Sequence, residues 1–322
     1  MKVDLSDEAI EYGLVARQAL REAGGEGLVQ DAEVDPSRRT ELVEPVLAEL
    51  GAWDLQPRAD ADELQASAAL CRSAGYWATP YPVAERLARP RDLGVDGLVV
   101  VDPARPAGTV AGIDRRWAAV TLAGDRSHAR TVARATPANR NDAFVDDLDL
   151  EPIDQAGADD VALALTLPCW TLLGMLDRAI DLTRQHVLDR EQFGQPLAGF
   201  QSVQFQLTDA EVERSGLDVL ARYTLWSVLT DQPGAIEDAL ALRLAALDAA
   251  EIVLRVTHQL HGASGFCDET SLSWISRHSQ PLRRLPYGTS RTQDQLVRRL
   301  GRQPLAGLFD EAGDDPLVLR SS

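Results

Sequence analysis

Long helical segments fill the second half of the chain and limit what it can fold into. Apolar residues recur at i, i+3, i+4 and i+7 along residues 158–188, 200–229 and 235–262. This spacing puts the apolar side chains on one face of an α-helix, and helices of this length pack as bundles. The sequence therefore predicts a helical bundle here, in which Pro168 kinks or restarts the first helix.

Shorter helices are predicted in the first part of the chain. Ser6 is followed by two acidic residues and then by apolar residues at helical spacing, which is typical of a helix N-terminus. Gly24 and Gly25 end this helix, and similar patterns cover residues 38–50 and 60–74.

Short strands are predicted between these two helical parts. Residues 97–101, 117–122 and 131–135 are partly β-branched and are separated by proline, glycine and aspartate. We expect them to form a small sheet or barrel, so the fold class is mainly α with a small β-domain. The predicted domains are an N-terminal helical domain, a reduced β-domain and a C-terminal helical bundle, at residues 1–92, 93–155 and 156–322.

Composition narrows the functional classes. The 322 residues carry a formal net charge of −18, which a phosphate backbone would repel, so nucleic acid is not an expected partner. The three cysteines lie far apart and the five histidines lack a metal-binding pattern, so neither a disulfide nor a metal site is expected. The sequence shows no signal peptide and no run of about eighteen apolar residues. We expect a soluble, cytoplasmic protein without a membrane span.

The most informative short segment joins the first two bundle helices and reads REQFGQPLAGFQ, from Arg190 to Gln201. Arg190 offers a permanently charged fork that suits a pyrophosphate. Phe193 offers a flat apolar surface, and Gly194 lets the backbone approach a ligand closely. Gln201 opens the next helix with an amide that both donates and accepts hydrogen bonds. The alternative is an ordinary interhelical loop whose arginine and glutamine side chains face water.

A second segment ends the third bundle helix and reads QLHGASGF, from Gln259 to Phe266. It combines a glutamine amide with glycines at Gly262 and Gly265, which suits close contact with a ligand. Glycine also closes many helix C-termini, so an ordinary helix end would explain the same residues.

Together these segments resemble those of the acyl-CoA dehydrogenase family. REQFGQPLAGFQ is similar to the family's R-x-x-F-G segment, and QLHGASGF is similar to its Q-x-x-G-G-x-G-F/Y turn, with Ala263 in place of the second glycine. In that family the first segment crosses a dimer interface and holds the ADP half of an FAD bound to the neighbouring subunit. The order of helices, small β-domain and four-helix bundle is also the family's. The resemblance implies FAD as the cofactor and these contact residues: Arg190, Gln192, Phe193, Leu197, Gln201, Gln259, His261, Gly262 and Ala263.

The catalytic residues that the resemblance would imply are missing. The family's general base is a glutamate before the Gly-Thr of a third segment, where this chain has Tyr287. A phenol, with a pKa of about 10, is a poor base near neutral pH. Other family members carry the base on the first bundle helix, at the position of Ala164. The family's flavin-clamping strings are not found in the β-region either, so we predict no catalytic residue in this chain.

This combination resembles the small subunit of the heterotetrameric acyl-CoA dehydrogenases that act on steroid side-chain CoA thioesters, with two large and two small subunits. It implies a larger catalytic partner subunit, an acyl-CoA substrate in the partner's site, an electron-transfer acceptor and a role in steroid catabolism such as cholesterol degradation. Two alternatives stay open. One is a self-sufficient flavoenzyme that uses another carboxylate, such as Asp181 or Glu191, as its base, and the other is a purely structural assembly subunit.

Overall fold

The structure is a computed structural model and describes residues 3–132 and 140–301. Its elements follow the predicted order of helices, strands and helices. The N-terminal helices are α1 (Asp7–Glu22), α2 (Gly27–Val34), α3 (Arg39–Glu49), α4 (Ala61–Tyr76) and α5 (Val83–Leu87). Ser6 caps α1 as predicted, because its hydroxyl oxygen accepts a hydrogen bond from the N–H of Ala9 at 3.2 Å.

Among the described residues, five strands between the two helical parts form one sheet. They are β1 (Gly97–Val100), β2 (Ala107–Gly108), β3 (Trp117–Val120), β4 (Asp125–Val132) and β5 (Asp146–Ala156). Their order in the sheet is β1-β3-β4-β5-β2, with β1 parallel to β3 and the other neighbours antiparallel. The strand predicted at 131–135 is the end of β4, which begins earlier, and residues 133–135 lie outside the described residues.

Long helices form the C-terminal bundle. α6 (Ala158–Asp189), α7 (Gln201–Leu229) and α8 (Ala235–His261) precede α9 (Ser271–His278), α10 (Gln280–Arg284) and α11 (Thr289–Leu300). α6 packs on α7 and α8, and α8 packs on α11. Pro168 does not restart the first helix, because α6 continues through it, and a kink at Pro168 stays a prediction.

α6 is the central helix of the fold and is apolar on most of its surface. By length and composition alone it could cross a membrane, but 83% of its most apolar window is buried inside the protein. A helix that is apolar all round is expected in the core of a large protein as well as in a membrane. α6 is therefore explained as a core helix.

α4 connects the N-terminal helices to the bundle by packing directly on α6. A methyl group placed on Gly75 would lie 1.9 Å from the carbonyl oxygen of Thr171, and one on Gly174 would lie 1.9 Å from that of Arg72. The two helices thus touch through their backbones. One hydrophobic cluster includes side chains from all three parts of the chain, so the domain boundaries remain a prediction.

Candidate cofactor-binding site

The segment that follows α6 folds as a β-hairpin. Strand β6 (Glu191–Gln192) pairs with strand β7 (Gln195–Pro196) in antiparallel orientation. The two residues between them, Phe193 and Gly194, have φ angles of 53° and 82°. Positive φ at both central residues is typical of a type I′ turn, which suits a two-residue hairpin loop. Glycine adopts this conformation freely, whereas it strains the backbone of a phenylalanine.

The backbone of the hairpin is fixed while its side chains face solvent. The N–H of Arg190 donates to the carbonyl of His186 at 2.9 Å, and the carbonyl of Arg190 accepts from the N–H of Leu197 at 2.8 Å. Phe193 is 92% exposed at the tip, and the side chains of Arg190 and Gln192 are exposed as well. Arg190, Gln192 and Phe193 are therefore exposed on a hairpin whose backbone is held by hydrogen bonds.

The return from the hairpin to α7 packs against the core. Leu197 is half-buried at the start of a 3-10 turn that spans Leu197–Gly199. The side-chain amide of Gln204 donates to the carbonyl of Ala198 at 2.8 Å and ties this turn to α7. Gln201, the first residue of α7, is exposed. Leu197 thus anchors the hairpin, whereas Gln201 extends its exposed face.

The second predicted segment forms the turn that ends α8. Gly262 follows the helix with a φ of 62° and begins a 3-10 turn at Gly262–Phe266. Ala263 keeps a negative φ, so its methyl group causes no backbone strain. The side chain of Gln259 and the residues at 262 and 263 are exposed, whereas His261 is buried.

A pair of stacked histidines brings the two segments to the same end of the bundle. The rings of His186 on α6 and His261 on α8 lie 4.3 Å apart between centroids, with 18° between their planes. Burial lowers the pKa of both imidazoles, and the positive charge of Arg190 lowers that of His186 further. The exposed residues of the two segments form what we call the hairpin–turn surface: Arg190, Gln192, Phe193, Gln201, Gln259, Gly262 and Ala263.

His186 is the residue that the sequence interpretation missed. It lies one helical turn before Arg190, and its ring contacts His261, which was predicted. Only the fold shows this contact, because the two histidines are 75 residues apart in the sequence. Their separation follows from the helical hairpin of α7 and α8 that lies between them.

Ala164, one of the two positions compared with the family's base, borders a small cavity. Ala164 lines a cavity of about 40 Å³ together with Leu285 and Pro286, which directly precede Tyr287. A cavity of this size holds about one water molecule. Arg243 fills the space beside it and donates to the carbonyl of Tyr287 at 2.7 Å.

Tyr287 also borders an open cavity on its other side. This cavity has a volume of about 610 Å³ and is lined by Asp102, Arg105 and Arg291, among others. The guanidinium of Arg291 forms an ion pair with Asp102 and lies over the ring of Tyr287, 4.6 Å from its centroid. Burial raises the pKa of the Tyr287 phenol and so makes it a still poorer base at neutral pH.

The two carboxylates considered as substitute bases line neither of these cavities. Asp181 accepts a hydrogen bond from the hydroxyl of Tyr76 at 2.9 Å and faces Arg184 at 3.6 Å. It borders a cleft of about 880 Å³ between α1, α4, α6 and α7. Glu191 is exposed on the hairpin. Among residues 3–132 and 140–301, no cluster of His, Cys, Asp or Glu side chains suits a metal ion.

Comparison with solved structures decides the fold. The structure resembles a chain of the ChsE4-ChsE5 complex from Mycobacterium tuberculosis with a TM-score of 0.73 and 16% sequence identity, over 95% of this chain and 100% of the other. The chain has the acyl-CoA dehydrogenase fold. It also resembles a Tcur3481-Tcur3483 steroid ACAD variant, with a TM-score of 0.73 and 18% identity over 92% of this chain and 98% of the other.

Sequence comparison places the likeness to acyl-CoA dehydrogenases mainly in the bundle. Residues 166–300 match the sequence model for the acyl-CoA dehydrogenase C-terminal domain. A curated relative, 3-sulfinopropanoyl-CoA desulfinase from Paraburkholderia xenovorans, is 27% identical over 198 residues, which is 59% of this chain. The match spans 47% of that relative's length, and a match to a probable acyl-CoA dehydrogenase of Bacillus subtilis spans 33%. The chain therefore spans about a third to a half of the length of these relatives.

Proposed function

We propose that this chain is the non-catalytic subunit of an FAD-dependent acyl-CoA dehydrogenase and completes the FAD site of a larger catalytic subunit in the cytoplasm. The main support is the conformation of Phe193 at the tip of the hairpin. Phe193 is 92% exposed and has a φ of 53°, so a large apolar side chain is held in water by a strained backbone. Such strain persists where it serves a contact, and burial of Phe193 in a partner subunit supplies one.

The hairpin–turn surface suits the ADP half of a flavin. Arg190 would pair with the pyrophosphate, Gln192 and Phe193 would contact the adenosine diphosphate portion, and Gln201 would add an amide contact. The turn at Gln259 to Ala263 forms the second wall, with His261 behind it. The fit is supported by the exposure of these side chains at one end of the bundle while hydrogen bonds hold the backbone beneath them.

The catalytic base belongs to the partner in this proposal. FAD supplies the acceptor for the hydride from the β-carbon of the acyl group, and the α-proton needs a carboxylate base. Tyr287 and Ala164 provide none, and the cavity that Ala164 lines measures about 40 Å³. This chain therefore binds and orients the cofactor, and proton transfer takes place in the catalytic subunit.

Steroid side-chain CoA thioesters are the substrate class that we propose. The support is the likeness in fold to the ChsE4-ChsE5 complex and to the Tcur3481-Tcur3483 steroid ACAD. Both are named by two components, which also supports a complex of unlike subunits. We propose an electron-transfer acceptor as a further partner, which would take the electrons from the flavin.

One observation favours a second candidate function, a self-sufficient flavoenzyme. The open cavity of about 610 Å³ beside Tyr287 is of a size that accommodates small molecules. Its carboxylate Asp102 is paired with Arg291, and this ion pair together with a backbone hydrogen bond keeps the pKa of Asp102 low although burial opposes it. A carboxylate held as a stable anion by a cation is a weak proton acceptor, so we rank this candidate second.

Reconstitution of activity tests the proposal. The chain, a candidate large subunit and the co-purified pair are each assayed with a steroid side-chain CoA thioester and an artificial electron acceptor. We expect dehydrogenation by the pair and none by this chain alone. Activity of the isolated chain would support the second candidate instead. Equal activity of the large subunit with and without this chain would contradict a role in completing the site.

A further inference from the structure

We propose that His186 is a positioning residue of the flavin site and acts through its stack with His261. The inference rests on the proposed function, because the site that it positions is the hairpin–turn surface. The stack is a side-chain contact between the ends of α6, which leads into the hairpin, and α8, which leads into the turn.

His261 is the fixed member of the pair. Its Nδ1 lies 2.9 Å from the carbonyl oxygen of Thr257 and 3.5 Å from the hydroxyl oxygen of Thr183. A carbonyl oxygen only accepts hydrogen bonds, so Nδ1 of His261 carries a hydrogen, and the neutral ring has its lone pair at Nε2. The hydroxyl of Thr183 donates to the carbonyl of Ala179 at 2.7 Å, which leaves its oxygen to accept from His261. The ring of His261 is thus held by both α8 and α6.

His186 transmits this fixed position to the hairpin. Its carbonyl accepts the N–H of Arg190 at 2.9 Å, in the hydrogen bond that ends α6. Its ring lies 4.3 Å from that of His261 and is half-buried. A shift of the His186 ring therefore moves the base of the hairpin and the Arg190 side chain relative to the turn.

The stack requires neutral rings. Two neutral imidazoles attract each other through their faces, whereas two imidazolium ions at this distance repel. The titratable groups that act on the pair are Asp189 at the end of α6, Arg190 directly after it and His258 on α8. Asp189 accepts a hydrogen bond from Gln185 at 2.6 Å. The turns at 197–199 and 262–266 that adjoin the pair contain no titratable side chain.

The sign of the pH dependence follows from burial. The folded site disfavours protons on both rings, whereas unstacked histidines take them up at a pH of about 6.5. As the pH falls through about 6.5, protons therefore favour the separated rings, and the hairpin loses its position relative to the turn. Flavin retention by the complex is expected to fall over the same range.

The test uses the complex with its catalytic subunit and compares two variants of the same residue. His186→Phe keeps a stacking ring that cannot titrate, and His186→Ala removes the ring. Flavin dissociation constants are measured at a pH of about 7.5 and about 5.5, on either side of the ordinary histidine pKa. His128→Ala, an exposed histidine on β4, is the control.

We expect His186→Ala to weaken flavin binding by about 2–10-fold at the higher pH, the range for loss of one aromatic pair. His186→Phe should bind flavin as the wild type does at the higher pH and lose the acid-induced release. An unchanged flavin affinity in His186→Ala, or undiminished acid release in His186→Phe, would overturn the inference.

A parallel Arg190→Ala variant separates this inference from the proposed function. If Arg190→Ala weakens flavin binding while the His186 variants do not, the positioning role alone is wrong. If Arg190→Ala also leaves flavin binding unchanged, the proposed function fails first, and the positioning role fails with it. Melting temperatures of the isolated variants show whether His186→Ala remains folded, and His186→Phe retains a ring of similar size in either case.

Discussion

Replacement of Phe193 with glycine should stabilise the isolated chain and weaken its complex. The φ of 53° at Phe193 costs a residue with a Cβ about 1–2 kcal/mol. Glycine removes that strain but adds about 0.5–1 kcal/mol of conformational entropy to the unfolded chain. Little packing is lost, because Phe193 is 92% exposed and meets Phe200 edge-on with ring centroids 6.3 Å apart. The free energy of unfolding should rise by about 0.5–1 kcal/mol.

The effect on the complex has the opposite sign. In the proposed assembly the ring of Phe193 is buried against the partner subunit and the flavin. Full burial of a phenylalanine side chain contributes about 1.5–3 kcal/mol. Its loss should weaken association of the subunits by about 10–150-fold.

Asp231 provides a matched control for this comparison. It has a φ of 47° in the turn between α7 and α8, at the other end of α7 from the hairpin. Asp231→Gly should give a smaller gain in stability, because aspartate adopts a left-handed backbone more readily than phenylalanine, and no change in association. Urea unfolding of the isolated variants and titration calorimetry of the pair measure the two effects. Unchanged association by Phe193→Gly would refute the reasoning that the hairpin tip is a subunit contact.

Further variants test other parts of the account. Arg190→Ala should weaken flavin binding by the complex by about 1.5–3 kcal/mol, the range for a hydrogen bond to a charged group, and Arg184→Ala, at an exposed arginine in the last turns of α6, should not. Gly75→Ala should lower the free energy of unfolding by at least about 2 kcal/mol in urea titrations, because the added methyl meets backbone atoms at 1.9 Å. Gly216→Ala, where the methyl meets open space, should raise it by about 0.5–1 kcal/mol. Burial alone would raise the pKa of Glu33, but hydrogen bonds from a histidine and an arginine lower it to about 2. The free energy of unfolding should therefore fall as the pH decreases from about 4.5 towards 2. Glu33→Gln should lower this free energy by about 2–3 kcal/mol above a pH of about 4.5 and make it less dependent on pH below that value.

The long bundle helices were predictable because their apolar periodicity is strong. The pattern at 200–229 corresponds to α7 at Gln201–Leu229, and that at 235–262 to α8 at Ala235–His261. Over about eight turns, an error of one residue at either end leaves the apolar face unchanged. The same signal placed the hairpin and the turn of the candidate site at helix ends.

The short elements were not predictable in this way. Helix α2 follows a pair of glycines and α5 follows Pro82. Glycine and proline favour loops, so the sequence predicts a loop at both places. Strand β5 is acidic and contains Pro152, yet it pairs with both β4 and β2. These elements form because tertiary neighbours complete their hydrogen bonds and cover their apolar side chains.

Within the candidate site, residue types were predictable but their conformations were not. The glycine at 194 indicates a turn, whereas the left-handed backbone of Phe193 depends on the pairing of β6 with β7. The stack of His186 on His261 depends on the packing of α6 against α8. Contacts between distant residues arise from the fold, and single-sequence periodicity carries no information about them.

The most direct test of the central claim is the ratio of FAD to protein. It is measured from the flavin absorbance of this chain purified alone and of the chain co-purified with a candidate large subunit. We predict a colourless isolated chain and about one FAD for each pair of unlike subunits. Stoichiometric FAD on the isolated chain would contradict the claim that its hairpin serves a site in another subunit.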